Sequence, residues 1–515
     1  MLKLLQETYL GKIKMIYIDP PYNTGNDFVY SDDFAQSTEE YLENSGQYDN
    51  EANRLVQNTE SNGRFHSDWL NMIYPRLKLA KNLLTDDGII FISIDDYEQE
   101  NLRKIANEIF GEVNFIAQLI WERAYSPKND AKYISNSHDY VLMYAKNKDN
   151  FVIGRLPRTE EANARYTNPD NDERGVWKPG DMSVKTYNAA YDYAITLPSG
   201  RIINPPAGRC WRQSKEAYEK SVKENRIWFG TDGNSVPQIK RFLSELKYDG
   251  MAPTSIMSYK DVGHSQEGAK EVTKLLEAGA FDGPKPVRLL IRLLTLANLQ
   301  NDSIVLDFFS GSSTTAHAVM QYAANNEDSS IKYIMVQLAE ETDKKGTAYR
   351  AGYKNICEIG KERIRRAAKK IAEENPEAKF DAGFRVLKCD SSNMKDVYYN
   401  PDAYEPSLLN NLENNIKEDR TPEDLLFQVM LDLGVLLSSK IDETIIAGKK
   451  VFNVEDNYLI ACFDKDITDD TIKAIAQQKP YYFVMRDNGF ASDSVATNFE
   501  QIFSVYSPDT IRKVL

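Results

Sequence analysis

Apolar and polar positions follow two different periods along the first 150 residues. Runs that are apolar at nearly every position predict strands buried on both faces, and stripes with a spacing of three and four predict amphipathic helices. In chain order the predicted elements are a short helix, a strand Lys14 to Ile18, a helix Trp69 to Leu84 that stops at Gly88, a strand Ile89 to Ile94, a helix Gln99 to Phe110 capped by Asp95 or Asp96, and strands Phe115 to Trp121 and Asp139 to Ala145. This alternation predicts an α/β fold with a doubly wound, mostly parallel sheet.

The same pattern returns near residue 280. A helix Val287 to Leu299, a strand Ser303 to Phe308, a helix Ala316 to Ala324 and a strand Tyr333 to Leu338 follow one another. Between residues 151 and 280 the apolar runs are instead short and broken by proline and glycine. We therefore predict four parts: half of an α/β core (1–150), an insert of a different type (151–280), the second half of the core (281–380) and a C-terminal α/β domain (381–515).

Composition excludes several classes of protein. Apolar residues make up 42% of the 515 residues, which suffices for ordinary cores. There is no run of about 18 apolar residues, and the start becomes polar too soon for a signal peptide, so we expect a cytoplasmic protein with no membrane partner. The four cysteines lie far apart and form no C-x-x-C pair, so no metal site or redox dithiol is predicted.

The net charge of −14 is unevenly distributed. Residues 151–250 carry 16 Lys and Arg against 13 Asp and Glu, whereas residues 381–515 carry 14 against 23. The insert also interleaves Tyr and Trp with arginines such as Arg209, Arg212 and Arg226, a combination that contacts DNA backbone and bases. A solvated accessory domain is the alternative interpretation.

The stretch Asp19-Pro20-Pro21-Tyr22 follows the first buried strand. Chemistry in open α/β sheets lies at the carboxyl ends of strands, and two consecutive prolines enforce a rigid turn. A carboxylate, free carbonyls and an aromatic ring suit a flat substrate with an amino group, although a plain proline turn is equally compatible. The polar stretch from Asn23 to Ser67 predicts a long loop that covers the pocket or contacts the substrate, with a solvated insertion as the alternative.

A second loop follows the strand that ends at Phe308. Residues 309–315 (FSGSSTT) lead into an apolar helix, the arrangement that lets a ligand approach the backbone at a helix N-terminus. The loop has neither the Gly-Lys-Ser/Thr of a phosphate loop nor the G-x-G-x-x-G of dinucleotide sites. An acidic side chain at Glu340 or Glu341 is available for a ribose diol, so the pattern indicates a nucleoside-like ligand.

The helix that begins near Asn355 carries a basic run opposed by one acid, Glu362, within the same window. The run fits a surface along DNA and a solvated helix face equally well. Its members are Lys361, Arg363, Arg365, Arg366, Lys369 and Lys370.

Together, the D-P-P-Y turn, the D-x-F-x-G-type loop and the unlike segment between them resemble the beta class of amino-methyltransferases acting on DNA. More narrowly, residues 19–34 (DPPYNTGNDFVYSDDF), 61–84 and 349–366 resemble the modification subunits of type III restriction-modification systems. The resemblance implies a permuted S-adenosylmethionine-dependent methyltransferase core, with a target-recognition domain as the insert at 151–280.

The resemblance also implies an activity and its residues. S-Adenosylmethionine is the expected methyl donor, and N6 of adenine in duplex DNA is the expected acceptor. The flipped base is expected at Asp19, Pro20, Pro21 and Tyr22. The donor is expected at Asp307, Phe308, Phe309, Ser310, Gly311 and Ser312, with Lys285 and Pro286 near its methionine end and Glu340 near its ribose. No metal ion and no catalytic cysteine are expected.

Two features depart from the family pattern. Ser313 stands where relatives often have a second glycine. Relatives also normally have a further N-terminal segment before the helix that opens this chain, so we expect that segment to be missing.

Two other functions stay open. Methylation of cytosine at N4 is the near alternative, although serine more often replaces Asp19 in such enzymes. A catalytically silent DNA-recognition and scaffold subunit is the third possibility. The family further implies a restriction helicase-nuclease subunit as a partner and a homodimer formed through the C-terminal region.

Overall fold

The computed structural model describes residues 1–25, 28–30, 55–57, 65–129, 131–326, 330–395 and 415–515. Most of the loop predicted between residues 23 and 67 lies outside the described residues. The chain forms two compact units, residues 1–152 together with 255–515, and residues 153–254. The smaller unit falls within the stretch that the sequence pattern marks as an insert.

Residues 1–152 form the predicted helices and strands and, in addition, two short strands within the stretch predicted as a loop. They are α1 (Leu5–Tyr9), β1 (Ile13–Ile18), β2 (Phe28–Tyr30), β3 (Leu55–Gln57), α2 (Phe65–Leu83), β4 (Leu84–Ile94), α3 (Gln99–Phe110), β5 (Phe115–Glu122) and β6 (His138–Ala145). Helix α2 ends at Leu83, and Gly88, which was predicted to terminate it, lies inside β4 instead. At this point the pairing with β1 is irregular, and a Cβ on Gly88 would meet the Thr85 carbonyl oxygen at 2.8 Å. Helix α3 begins after Glu98, whose side chain does not cap it, so the predicted aspartate cap is wrong.

The smaller unit consists of short elements. They are α4 (Glu160–Asn163), β7 (Trp177–Asp181), β8 (Ser183–Val184), β9 (Ile195–Thr196), β10 (Ile202–Ile203), β11 (Cys210–Trp211), α5 (Lys215–Lys223), β12 (Ile227–Trp228) and β13 (Gln238–Phe242). The strands pair antiparallel in small sheets. Trp211, Ile195 and Ile227 are buried in its apolar core.

The second half of the core completes a seven-stranded sheet. Its elements are β14 (Ile256–Met257), α6 (Tyr259–Val262), α7 (Ser265–Leu275), α8 (Val287–Leu296), β15 (Ile304–Asp307), α9 (Thr314–Asn325), β16 (Lys332–Met335), α10 (Thr347–Arg350) and α11 (Ile356–Glu374). The strand order is β14-β5-β6-β4-β1-β15-β16. Strand β6 is antiparallel to both neighbours, and the other adjacent pairs are parallel. The predicted mostly parallel sheet is confirmed, and all six residues of β1, which lies between β4 and β15, are buried.

Residues 415–515 form a mixed five-stranded sheet with helices. The elements are α12 (Pro422–Asp432), β17 (Ile441–Ile446), β18 (Lys449–Val454), β19 (Leu459–Cys462), α13 (Asp469–Ala476), β20 (Tyr482–Met485), α14 (Asp493–Tyr506) and β21 (Ile511–Val514). This region contacts α1, because the Thr8 hydroxyl donates to the Leu431 carbonyl oxygen at 2.9 Å and the Leu437 amide donates to the Tyr9 hydroxyl at 2.9 Å. Among the described helices, none is both long enough and apolar enough to cross a membrane.

Candidate active site

The two sequence motifs lie at one edge of the large sheet. Strand β1 ends at Ile18 and β15 ends at Asp307, and the two strands are adjacent and parallel, with Ile16 paired to Leu306. Because the carboxyl ends of parallel strands meet at the same edge, the D-P-P-Y turn and the loop after Asp307 are neighbours. The pairing of β1 with β15 thus brings together two stretches that lie far apart in the sequence.

The Asp19 carboxylate has a partner on each oxygen. Tyr22 Oη donates to Oδ1 at 2.9 Å, and Lys285 Nζ donates to Oδ2 at 2.5 Å. Burial raises the pKa of Tyr22 well above its ordinary value, and the nearby Asp19 charge adds to this shift. The tyrosine therefore stays a neutral hydrogen-bond donor.

The proline turn is anchored through one of its carbonyl groups. Trp69 Nε1 on helix α2 donates to the Pro21 carbonyl oxygen at 2.7 Å, and the Trp69 side chain is fully buried. Within the described ranges, no donor bonds to the Pro20 carbonyl oxygen. Trp69 thus holds the turn in place, and a role of the Pro20 carbonyl oxygen as the acceptor of a substrate N–H stays a prediction.

A buried carboxylate that the sequence analysis missed holds the other end of the turn. Asn23 has a φ of +61° and donates from Nδ2 to Glu98 Oε1 at 2.5 Å. Glu98 is fully buried and also accepts from Asn101 Nδ2 at 2.8 Å, while His66 Nδ1 lies 2.6 Å from Oε1. An acid directly before a helix is usually a solvent-exposed cap, so its residue type gave no sign of this role.

Lys285 was predicted to lie near the methyl donor, yet its ammonium group lies where the flipped base was predicted to bind. Its side chain is only 10% exposed, and Nζ lies 5.1 Å from the centre of the Tyr22 ring and 5.8 Å from that of Trp121. Pro286 caps the start of α8 and is buried. A donor contact by Lys285 or Pro286 stays a prediction.

A second buried carboxylate, Asp139, lies at the start of β6, paired in register with Trp121. Its Oδ1 lies 2.8 Å from Arg123 Nε. Burial raises the pKa of Asp139, and the charges of Lys285 and Arg123 oppose that shift. Among the described residues, two carboxylates and two cations thus lie together, Asp19 with Lys285 and Asp139 with Arg123.

Asp307 stabilises the loop that follows it. Its side chain is 2% exposed, Oδ1 accepts from the Phe309 amide at 3.0 Å, and Oδ2 accepts from Thr315 Oγ1 at 2.5 Å. Burial raises the pKa of Asp307 to about 7, and Asp19 contributes in the same direction. Both oxygens are therefore used to connect the two ends of the loop, and a direct donor contact by this residue stays a prediction.

The loop has a backbone that favours small residues. Gly311 has a φ of +48° and Ser313 a φ of +59°, in the left-handed region that favours glycine. The Gly311 amide donates to Gln337 Oε1 at 2.8 Å. Helix α11 packs directly on the loop, because a Cβ on Gly360 would lie 2.6 Å from Ser313 Oγ.

Arg363 reaches the loop from helix α11 and is fully buried. Its Nη1 donates to Ser312 Oγ at 2.7 Å and to Thr314 Oγ1 at 2.6 Å. Burial lowers the pKa of Arg363 to about 10, so the guanidinium remains charged at neutral pH. Its Nε and Nη2 find no acceptor in the described part of the chain.

The other basic residues of α11 favour the interpretation of this helix face as solvated over its interpretation as a surface that lies along DNA. Its members pair with acids on the same helix: Lys361 with Glu358, Arg365 and Arg366 with Glu362, Lys369 with Glu373, and Lys370 with Glu374. Arg363 falls on the buried stripe of α11 with Ile359, Ile364 and Ala367, a periodicity visible in the sequence. That stripe was the signal that could have identified it.

The remaining residues predicted to contact the methyl donor lie along the same edge of the large sheet. Phe308 is buried under the loop and Phe309 is half-buried. Glu340, which follows β16, is half-buried, and its Oε1 lies 3.5 Å from Gln337 Nε2. Gln337 therefore connects the loop amide of Gly311 with Glu340, a role that sequence alone did not indicate.

Comparison with known proteins agrees with this geometry. A family model described as DNA methylase matches residues 13–369, from β1 into α11. The chain belongs to the DNA methylase family. The match includes both site motifs and the insert between them.

Within the DNA methylase family, several of its relatives are type III Mod subunits. The chain is 38% identical over 391 residues to the StyLTI Mod subunit of Salmonella typhimurium, covering 75% of this chain and 58% of that protein. It is 32% identical to the EcoPI Mod subunit of Escherichia phage P1 and 30% identical to the EcoP15I Mod subunit of Escherichia coli, covering in each case 97% of this chain and 79% of the relative. The chain thus belongs to the type III Mod branch, and it spans less than two thirds of the length of the StyLTI relative.

Proposed function

We propose that the chain transfers a methyl group from S-adenosylmethionine to N6 of adenine in duplex DNA, as the modification subunit of a type III restriction-modification system. The observation that carries the proposal is the Asp19 carboxylate beside the Pro20 carbonyl, at the sheet edge that also holds the loop after Asp307. Two acceptors and a ring, Tyr22, match an exocyclic amino group on a flat base.

The side chains present suit methylation of such an amine. An exocyclic amine is a poor nucleophile because its lone pair is delocalised into the ring. Asp19 and the Pro20 carbonyl, by accepting both N–H bonds, favour a pyramidal nitrogen and stabilise the positive charge that develops on it. Positioning for an in-line displacement supplies much of the remaining acceleration. Tyr22 stacks on the base and offsets part of the few kcal/mol lost on unstacking.

The loop residues fit S-adenosylmethionine, which supplies the electrophilic methyl group when bound. Ser310, Gly311 and Ser312 are small, so a nucleoside can approach the backbone. Phe309 is half-buried beside them, and Glu340 offers acceptors for a ribose diol. Arg363 and Gln337 hold the loop in this conformation from behind.

The test is transfer of labelled methyl from the donor to unmethylated duplex DNA, followed by nucleoside analysis. We expect N6-methyladenine, and Asp19→Ala should abolish transfer while sparing DNA and donor binding. The exposed Asp149→Ala is the matched control. N4-methylcytosine would establish the alternative base, and absence of donor binding in calorimetry would establish a silent recognition subunit.

The proposal assigns DNA contact to the smaller unit. It has a cleft of about 420 Å³ whose lining includes five basic residues and no acidic residue. Among the described side chains, none of these five forms an ion pair. Arg155 lies over the Tyr248 ring at 4.2 Å and Arg158 over the Tyr166 ring at 5.3 Å. Free cations beside aromatic planes suit DNA phosphates. The five are Arg155, Arg158, Arg165, Lys178 and Lys247.

Removing two of these cations tests the cleft. The variant Arg155→Ala with Lys178→Ala should weaken DNA binding and lower the slope of log affinity against log salt by about two. A matched variant of exposed lysines in the same unit, Lys185→Ala with Lys215→Ala, should change the slope less. Equal slopes for both double variants would contradict the assignment.

We also assign to the chain a restriction helicase-nuclease partner, a homodimer formed through the C-terminal region, and a cytoplasmic location. The Mod names of the relatives support the first assignment. Sedimentation of the chain, alone and with the cognate restriction subunit, tests the first two. A monomer at micromolar concentration would contradict the homodimer.

A further inference from the structure

The ammonium group of Lys285 occupies the substrate side of Asp19. It bonds to Oδ2 at 2.5 Å and faces the rings of Tyr22 and Trp121. The backbone that carries it is tightly packed, because a Cβ on Gly268 of α7 would lie 2.2 Å from the Pro284 carbonyl oxygen. Movement of the Lys285 ammonium group therefore comes from rotation of the flexible side chain and not from a shift of the backbone.

Lys285 makes the contacts that an exocyclic amino group would need. Both groups donate N–H bonds, and both are accommodated by a carboxylate beside an aromatic face. Asp19 Oδ1 already accepts from the Tyr22 hydroxyl, so Oδ2 is the oxygen that a base can reach most readily. The lysine and the base therefore compete for one oxygen.

Asp139 offers the lysine a second acceptor. It is 6% exposed and close enough for the Lys285 charge to act on it. Its carboxylate has an ion pair with Arg123, but it accepts no hydrogen bond from any donor in the described ranges. Its remaining acceptor positions can take a further donor such as the Lys285 ammonium group, and none of the steps of methyl transfer uses this carboxylate.

We propose that Lys285 is a positioning residue that occupies the amino-group position on Asp19 and moves to Asp139 when the target base enters. The inference rests on the proposed function, because it requires a base at the Asp19-Pro20 acceptors. It assigns a role to Asp139, and it makes Lys285 a determinant of how strongly the pocket favours a base that carries an amino group.

The test compares two duplexes that differ only at the target position. The site is first identified by the methylation experiment, and the full chain is then titrated with duplexes carrying adenine or purine there, since purine lacks the amino group. Lys285→Met should raise the adenine-to-purine affinity ratio by about tenfold, because the amino group no longer displaces a charged hydrogen bond. Lys285→Arg should stay within about threefold of the wild type, since it keeps the cation. Lys104→Met, which removes an exposed pair with Glu100, should change nothing.

Asp139→Asn should lower the same ratio, because the displaced lysine loses its second acceptor. In the Lys285→Met background, Asp139→Asn should have no effect on the ratio. Circular dichroism and donor calorimetry confirm folding of each variant.

The signs of these effects decide the question. If Lys285 only supports Asp19, Lys285→Met will lower the ratio, which would overturn the proposal. An unchanged ratio in Lys285→Met, or an equal effect of Asp139→Asn in both backgrounds, would also overturn it. Failure of the proposed function is distinguishable, because it would appear earlier as absent methyl transfer or as methylation of cytosine.

Discussion

Replacing Asp307 by Asn removes a buried charge from the cofactor loop while keeping the shape of the side chain. The amide oxygen can still accept from the Phe309 amide, and the Thr315 hydroxyl can rotate to accept from the new NH₂ group. We therefore expect a folded variant in which the stability no longer depends on the ionisation of this position.

The magnitude follows from the pKa of Asp307, which burial raises from 3.8 to about 7. The folded state binds the Asp307 proton more tightly than the unfolded state does. The stabilisation that this proton gives the folded state is therefore complete below pH 3.8 and is lost as the pH rises through 7. Between pH 5 and pH 8 the loss is about 3 kcal/mol, because each of the roughly two pH units below the folded pKa contributes about 1.36 kcal/mol. The wild type should lose this much stability relative to Asp307→Asn.

Urea unfolding at pH 5, 6, 7 and 8, followed by tryptophan fluorescence, measures the difference. Trp69 is fully buried in the core cluster that also contains Phe308, so it reports on the region around the loop. Asp302→Asn is the control, since that carboxylate is 74% exposed and should leave the pH dependence unchanged. Parallel stability curves for wild type and Asp307→Asn would refute the reasoning.

Three further variants test contacts around the site. Gly360→Ala places a methyl group against Ser313 and should weaken binding of the methyl donor by about 1–3 kcal/mol, the cost of an overpacked contact. Adding Ser313→Gly should restore the affinity, which calorimetry measures for both variants. If the second substitution does not restore it, the contact is contradicted. Arg363→Met removes the hydrogen-bond donor shared by the Ser312 and Thr314 hydroxyls and should raise the Kd for the methyl donor about tenfold. An unchanged Kd would show that the loop keeps its conformation without Arg363. Glu98→Ala removes the shorter of the two hydrogen bonds that the Asn23 side-chain amide donates and leaves the one to the Phe65 carbonyl oxygen, so it should lower kcat without changing the Kd for the methyl donor. A parallel change in kcat and Kd would contradict this role.

Local patterns predicted the elements because they depend on near neighbours in the chain. Helix α3 was predicted from Gln99 to Phe110 and has those bounds, since Gly111 adopts a φ of +92° that other residues rarely adopt. The buried strands β1 and β15 were recognised by continuous apolar runs. The order of the two motifs and the residues they carry were also enough to predict the family.

Other features depend on packing between distant parts of the chain. Gly88 resembles a helix terminator, yet it lies in an irregular stretch of β4, where a Cβ would meet the Thr85 carbonyl oxygen at 2.8 Å. Arg363 resembles a surface cation, but its position on the apolar stripe of α11 places it under the cofactor loop. In each case the residue type is compatible with more than one structural role, and the contacts in the folded chain decide which role the residue has.

The sequence by itself determined the identity of the Asp19-Pro20-Pro21-Tyr22 turn, the small-residue loop and the mostly parallel fold. Only the tertiary structure decided that Lys285 bonds to Asp19, that Glu98 anchors Asn23, and that Asp307 holds its own loop. The reason is physical: hydrophobic periodicity reports which face of an element is buried, but the partner of a buried polar group is set by the strand order and by the helices that cover the sheet.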